Sequence, residues 1–320
     1  MIITDFTENH IQEALMLAKS NYEEERSHVP ILPAVDTLPA LDHFAANGLG
    51  VAAFEGEHMV GFLCYYNPIE QAFTTYSRGT FSPIHAHGAV SENRERIYKR
   101  LYQEAAEKLV ARGVSSHAIG LYAHDAQAIS AFYQYGFGLR CMDAIRPMTE
   151  IPYSTCEGYS FAELAAEDKF ILLPHKNMLI EHLGKSPIFM YFPPMTEETL
   201  EETHQERQSR YFCAFWEDVP VAFLEITDGG ETFACDDPGT KNICGAFCLP
   251  EHRGKGVYSA LLGFVIAKLK NEGYTRLGVD FESFNPTAYG FWLKHFTAYT
   301  HGVVRRIDEK VMSVDRPAKT

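Results

Sequence analysis

The chain has 320 residues, 46% of them hydrophobic and 13% aromatic. That length suits two ordinary domains, and that apolar content excludes a disordered chain. The formal net charge is -14 at pH 7. The acidity is shared between the halves, so there is no basic patch or tail. Nucleic acid is thereby disfavoured as a partner, and cationic or neutral substrates are easier to accommodate than anionic ones. The simplest reading of the charge itself remains a solvated, acidic surface.

Seven cysteines, at 64, 141, 156, 213, 235, 244 and 248, form no CxxC pair and mostly sit inside apolar runs. They read as reduced core thiols, and hence as a cytoplasmic protein. The opening MIITDFTENHIQEALMLAK has no basic segment followed by an apolar one, as a signal peptide needs. No apolar run reaches 18 residues, so no membrane span is expected.

In chain order, Thr4 to Ser20 reads as a short strand and then a helix, with Thr7 or Asn9 as its cap. Three prolines make Ser27 to Leu41 a loop or broken helix. VAAFEGEHMVGFL (51–63) reads as a hairpin turning at Glu55–Glu57. Ile97 to Arg112 is an amphipathic helix stopped by Gly113. An apolar strand, Ala118–Tyr122, and a short aromatic helix, 126–137, follow.

The same elements then recur. FCAFWEDVPVAFL (212–224) repeats the hairpin 161 residues on. Tyr258 to Glu272, stopped by Gly273, repeats the helix at 160. Leu277–Phe281 repeats the strand and 284–296 the aromatic helix. One order at a nearly constant offset indicates a duplicated α/β unit with a boundary near Pro147–Glu157. The front of the second copy, Phe161 to Arg210, matches the first only loosely and reads as a helix around Leu172–Leu183 and another at Thr196–Gln208.

The copies differ between strand and helix. In the second, Asn242–Leu249 reads as a strand ending at Pro250, and Arg253-Gly254-Lys255-Gly256 opens the helix. A strand feeding a glycine loop into a helix start is suited to an anion. The glycines let the backbone approach, several N–H groups converge, and the helix dipole adds positive charge. In the first copy, thirteen residues, IHAHGAVSENRER, separate Pro83 from Ile97 and hold one glycine. No such cradle is expected there. His85 and His87 lack a nearby third ligand and read as loop or substrate-facing histidines rather than a metal site, and no metal is expected.

The second copy resembles the GCN5-related N-acetyltransferase superfamily. Arg253 and Gly256 fit its acetyl-CoA signature, Arg/Gln-x-x-Gly-x-Gly/Ala, with Tyr258 where Gly or Ala is usual. Asn285, Ala288 and Phe291 fit its second signature, with Trp292 in place of Tyr and His295 in place of Gly. Ala131–Phe137 keeps part of that signature in the first copy. The resemblance implies an α/β fold of the α+β type: two tandem acyl-CoA N-acyltransferase-like domains, each a mixed central sheet flanked by helices. Residues 1–150 would be a degenerate domain and residues 151–320 a domain with an acetyl-CoA loop.

It further implies acetyl transfer to a primary amine, with Phe247, Cys248, Arg253, Gly254, Lys255, Gly256, Val257, Tyr258 and Asn285 holding acetyl-CoA. The backbone N–H of Cys248 would polarise the acetyl carbonyl. Cys248 as a nucleophile is the weaker reading, since no His accompanies it. Trp292 cannot act as the acid, which leaves Tyr289, or Tyr258 at the helix start. Glu225 is the candidate base, with Asp280 and Glu282 as alternatives. The partner would be a small-molecule amine, without nucleic acid or membrane. A homodimer is compatible with the sequence, which does not read out oligomeric state. The rival is a non-catalytic acyl-CoA sensor. A nucleotide site is weaker, because no Lys-Ser/Thr follows the glycines.

Overall fold

A computed structural model describes residues 1–151 and 156–313. It divides into two compact units. Unit 1 takes Met1–Pro30, Ala34–Met142 and the segment from Tyr299 onward; unit 2 takes Ile31–Pro33 and Asp143–Ala298. These bounds differ from a division at residue 150, since unit 2 begins at Asp143 and the chain returns to unit 1 at Tyr299. Part of the expected linker, residues 152–155, lies outside the described residues.

Unit 1 contains β1 (Ile2–Asp5), α1 (Ile11–His28), α2 (Asp42–Asn47), β2 (Val51–Glu55), β3 (His58–Leu63), β4 (Gly79–Ser82), β5 (His87–Ala89), α3 (Arg94–Ala111), β6 (Ser116–Tyr122), α4 (Ala126–Gln134) and the start of β7 (Gly138–Pro147). Unit 2 contains the rest of β7, then β8 (Tyr159–Glu163), α5 (Leu173–Gly184), α6 (Glu197–Arg207), β9 (Arg210–Trp216), β10 (Val219–Thr227), β11 (Thr240–Cys248), α7 (Val257–Asn271), β12 (Arg276–Glu282), α8 (Pro286–His295) and β13 (Thr297–Ala298). The last strand, β14 (Thr300–Arg306), belongs to unit 1. It pairs antiparallel with all of β6 and buries Val303 in that unit's core, so packing assigns it against chain order.

The repeat is visible in the hydrogen bonds. Both long helices end on a left-handed glycine, Gly113 in unit 1 and Gly273 in unit 2. The amide after each glycine bonds back across the last turn, Val114 N–H to Leu109 O and Tyr274 N–H to Leu269 O. Both short helices start on a capping side chain, Asp125 to the Ala128 amide and Asn285 to the Ala288 amide. The parallel ladders share a register: Gly79 faces Ser116 in unit 1, and Thr240 faces Arg276 in unit 2.

The units part at one strand. In unit 2, β11 is continuous, with a bulge between its pairings to Glu225 and Ile226 that leaves Cys244 unpaired with β10. In unit 1 the corresponding strand is broken into β4, on β6, and β5, on β3. The loop expected between Pro83 and Ile97 is thus partly strand. From β5 only Val90–Asn93 lead to α3, whereas Leu249–Gly256 lead from β11 to α7. Unit 1 lacks the cradle because this connection is shorter, not because it is longer.

The α7 helix holds the cradle rigidly. Val257, Ala260, Leu261, Leu262, Val265, Ile266 and Leu269 are all buried. Each large side chain among them contributes about 1.5–3 kcal/mol on burial. Among the described residues, no helix is long and apolar enough to cross a membrane.

Candidate functional site

In unit 2 the parallel ladder between β11 and β12 runs only from Thr240–Arg276 to Ile243–Val279. After the bulge, β11 leaves its neighbour and keeps only β10. The Leu249 amide donates to Val221 O on the β10 side. Strand alternation therefore puts the amides of Ala246 and Cys248 on the opposite edge, which faces β12 without pairing to it.

Two cavities meet at this edge. One, of about 500 Å³, is bounded by Ala246–Cys248, the loop at Arg253 and Gly254, and the starts of α7 and α8. The other, of about 850 Å³, lies between Cys244–Ala246, β12 and the Asp228–Glu231 loop. Ala246, Asn285, Ala288, Trp292 and Leu179 line both.

The first cavity is built for an anion. Gly254 and Gly256 have φ of +74° and +82°, so the turn needs glycine at both places. A Cβ at Gly254 would meet no atom within 4 Å, and one at Gly256 only Cys156 Sγ at 3.8 Å. In α7, the Ala260 amide donates to Gly256 O. The amides of Val257, Tyr258 and Ser259 precede it and have no carbonyl within the helix to accept them. They sit at the positive end of the helix dipole. Arg253 Nε donates to Cys248 O at 2.8 Å, and its guanidinium lies 5.5 Å from the Phe247 ring centre. Arg253 is thus fixed between strand and loop. Lys294 adds a second positive charge to the lining.

Of the residues expected around a cofactor, Phe247, Cys248, Arg253, Gly254, Gly256, Val257, Tyr258 and Asn285 all line this cavity. Lys255 is exposed and does not line it. Leu179 and His182 of α5 were missed, because a helix that packs across a cavity leaves no local signal. Asn285 is mainly a cap: its Oδ1 accepts from Thr287 Oγ1 at 2.8 Å and from the Ala288 amide.

The expected catalytic side chains fare differently. Glu225 is buried and accepts from Lys176 Nζ at 2.6 Å and Ser209 Oγ at 2.7 Å. Burial raises its pKa, but Lys176 and Ser209 outweigh this and hold it below the usual carboxylate range. An ion-paired carboxylate that lines neither cavity is a poor base, so this expectation is corrected. Tyr289 is also corrected: it is 40% exposed and lines neither cavity. One helical turn from Trp292 does not carry it to the same face as the site. Burial pushes the Cys248 thiol up to about 11, so it is not a thiolate near neutral pH. The nucleophile reading falls, while its backbone lies on the open edge.

Two other groups are better placed. The Tyr258 ring packs edge-on to Phe291 and Trp292, and its hydroxyl donates to Phe223 O at 3.4 Å. Burial holds its phenol well above the ordinary value. Asp280 lines the second cavity and accepts from Asn242 Nδ2 at 3.2 Å. Burial, with Asp143, Glu231 and Glu282 nearby, pushes it up to about 7.

In unit 1 the equivalent space is filled. The His87 ring is buried between Tyr98 Oη at 2.9 Å and Gly120 O at 2.6 Å. Burial pushes both His85 and His87 down to about 4, so both are neutral and buried, His85 in the turn before β5 and His87 on the strand itself. Arg94, at the start of α3, is buried against Asp125 at 3.0 Å and Glu24 at 2.7 Å. The charge at that helix start is already neutralised from within.

A bulged strand that opens beside a glycine cradle defines an α/β unit with an anion site next to a free strand edge. Residues 176–296 match the model of the acetyltransferase (GNAT) family. The whole chain is similar in fold to a GCN5-related N-acetyltransferase from Sphaerobacter thermophilus, at 13% identity and a TM-score of 0.58 over 95% of each chain. It is also similar to a GCN5-related glucosamine N-acetyltransferase region of a fungal multi-domain β-N-acetylglucosaminidase. That match has 12% identity and a TM-score of 0.53, and covers 95% of this chain and 38% of the other. None of the curated proteins compared by sequence matches the chain. The fold is thus two tandem N-acyltransferase-like units, each a central sheet flanked by helices.

Proposed function

We propose that unit 2 is an acetyl-CoA-dependent N-acetyltransferase acting on a primary amine by direct attack in a ternary complex. The observation that carries this reading is the open edge of β11. It has an anion cradle at one end and a carboxylate-lined cavity beside it.

Bound acetyl-CoA supplies the acyl group as a thioester. The cradle at Arg253–Tyr258 would hold the pyrophosphate, and the open edge at Cys248 would take the pantetheine as an added strand. Ala246 lies where the cavities meet, so its N–H is the donor for the acyl carbonyl. This moves the expected donor two residues from Cys248 along the same edge. Asp280 accepts the proton of the incoming ammonium, because a carboxyl that titrates near 7 is both available and basic there. Tyr258 stays protonated at neutral pH and is the donor to the departing thiolate.

One observation favours a non-catalytic acyl-CoA sensor instead. Trp292 is buried where the resemblance expects a tyrosine, and an indole cannot donate this proton. The test is thermal stabilisation by acetyl-CoA, followed by thiol release with a panel of amines. Stabilisation with release supports the enzyme. Stabilisation without release from any amine supports the sensor. No stabilisation overturns both.

A further inference from the structure

The second cavity has a charge pattern opposite to the first. Its lining carries Glu206, Asp228, Glu231, Asp280 and Glu282 against a single cation, Arg207. Asp228 is paired with Lys241. Among the described residues, Glu231 and Glu282 carry no ion pair. Both act on Asp280, which brings the loop after β10 and the end of β12 together around one space. Part of the remaining wall is apolar, with Leu179, Leu183 and Phe192, and part is polar, with Gln208, Thr227 and Asn242. At about 850 Å³ the space exceeds what one reacting amine needs.

Three carboxylates gathered around a partly apolar cavity repel one another. One of them, Asp280, is accounted for by the proton transfer proposed above. Glu231 and Glu282 are not. A ligand with a second positive charge would neutralise them, and an aliphatic spacer would lie along the Leu179–Leu183–Phe192 wall. A carboxylate-bearing acceptor would meet the same field as repulsion.

We infer that the acceptor is a small aliphatic di- or polyamine, with one amine at Asp280 beside Ala246 and a second ammonium held by Glu231 and Glu282. This rests on the acetyltransferase reading for the fate of the first amine, but the binding can be tested separately.

The experiment is calorimetric binding of 1,6-diaminohexane and hexylamine to the full chain, with and without saturating CoA. The diamine is expected to bind at least about tenfold tighter, with a preference that shrinks as salt is raised. Glu231→Gln is on an exposed loop and should fold. It is expected to reduce the diamine-over-monoamine ratio about tenfold, as is Glu282→Gln. Equal affinity for the two amines overturns the inference, as does an unchanged ratio in both variants. Tighter binding of a dilysine peptide than of the diamine overturns the small-molecule assignment. If the diamine binds selectively but no thiol is released from acetyl-CoA, the acetyltransferase reading fails and the diamine site stands.

Discussion

His87 Nε2 stands 2.6 Å from Gly120 O, across the gap between β5 and β6. The registers of the two units make His87 the counterpart of Ala246 and Gly120 the counterpart of Asp280. Unit 2 therefore presents a small residue and a carboxylate where unit 1 presents a ring donating to a backbone carbonyl. The duplicated fold keeps one opening and closes the other with its own side chain.

Gly256→Glu places a carboxylate in the cradle and is expected to remove thermal stabilisation by acetyl-CoA. Gly256→Ala controls for the left-handed backbone, where an L-residue costs about 1–2 kcal/mol. It should weaken binding less than the charged variant. His87→Ala, in unit 1, should lower the melting temperature while leaving the stabilisation in place. A loss of stabilisation from His87→Ala equal to that from Gly256→Glu would refute the division of labour.

Asp280→Asn is expected to lower kcat/KM by about 10²–10⁴ while leaving acetyl-CoA binding intact. In the parent protein the rate should fall as pH drops through about 7, as Asp280 becomes protonated. Stability runs the other way. A carboxyl whose pKa is raised by folding takes up protons in the native state, so the fold loses stability as pH rises from 3.8 toward 7. Asp280→Asn should therefore be the more stable protein at pH 8. A pH–rate profile and melting curves at pH 5 and 8 check both statements.

Tyr258→Phe should reduce kcat more than KM, by about 10- to 100-fold, if its hydroxyl protonates the leaving thiolate. Tyr289→Phe should leave both unchanged. Steady-state kinetics on the two variants, with the reverse outcome, would restore the assignment that helical spacing suggests.

Lys176→Met leaves the Glu225 carboxylate buried without its cation. It is expected to destabilise the protein by about 3–5 kcal/mol in a denaturant titration at pH 7. The Glu225 pKa is lowered by folding, so its contribution is present above the ordinary carboxylate value and is lost as pH falls below it. The gap between parent and Lys176→Met should accordingly narrow in acid.

Periodicity and turn residues alone determined the repeat and the helices at its core. The stops at Gly113 and Gly273 and the strand feeding Arg253-Gly254-Lys255-Gly256 were legible because helix ends and glycine turns are local geometry. Most of the cradle's lining was legible for the same reason. Proton chemistry was not. Glu225 and Asp280 are both carboxylates on strands, and nothing local distinguishes the one that meets Lys176 from the one that meets other carboxylates. Nor could the sequence place β14, because any apolar strand after unit 2 reads as part of unit 2 until β6 pairs with it. Short-range order writes itself into residue types and spacing. Which charge faces which, and which strand edge stays open, depends on partners distant in the chain, and only the tertiary structure decided it.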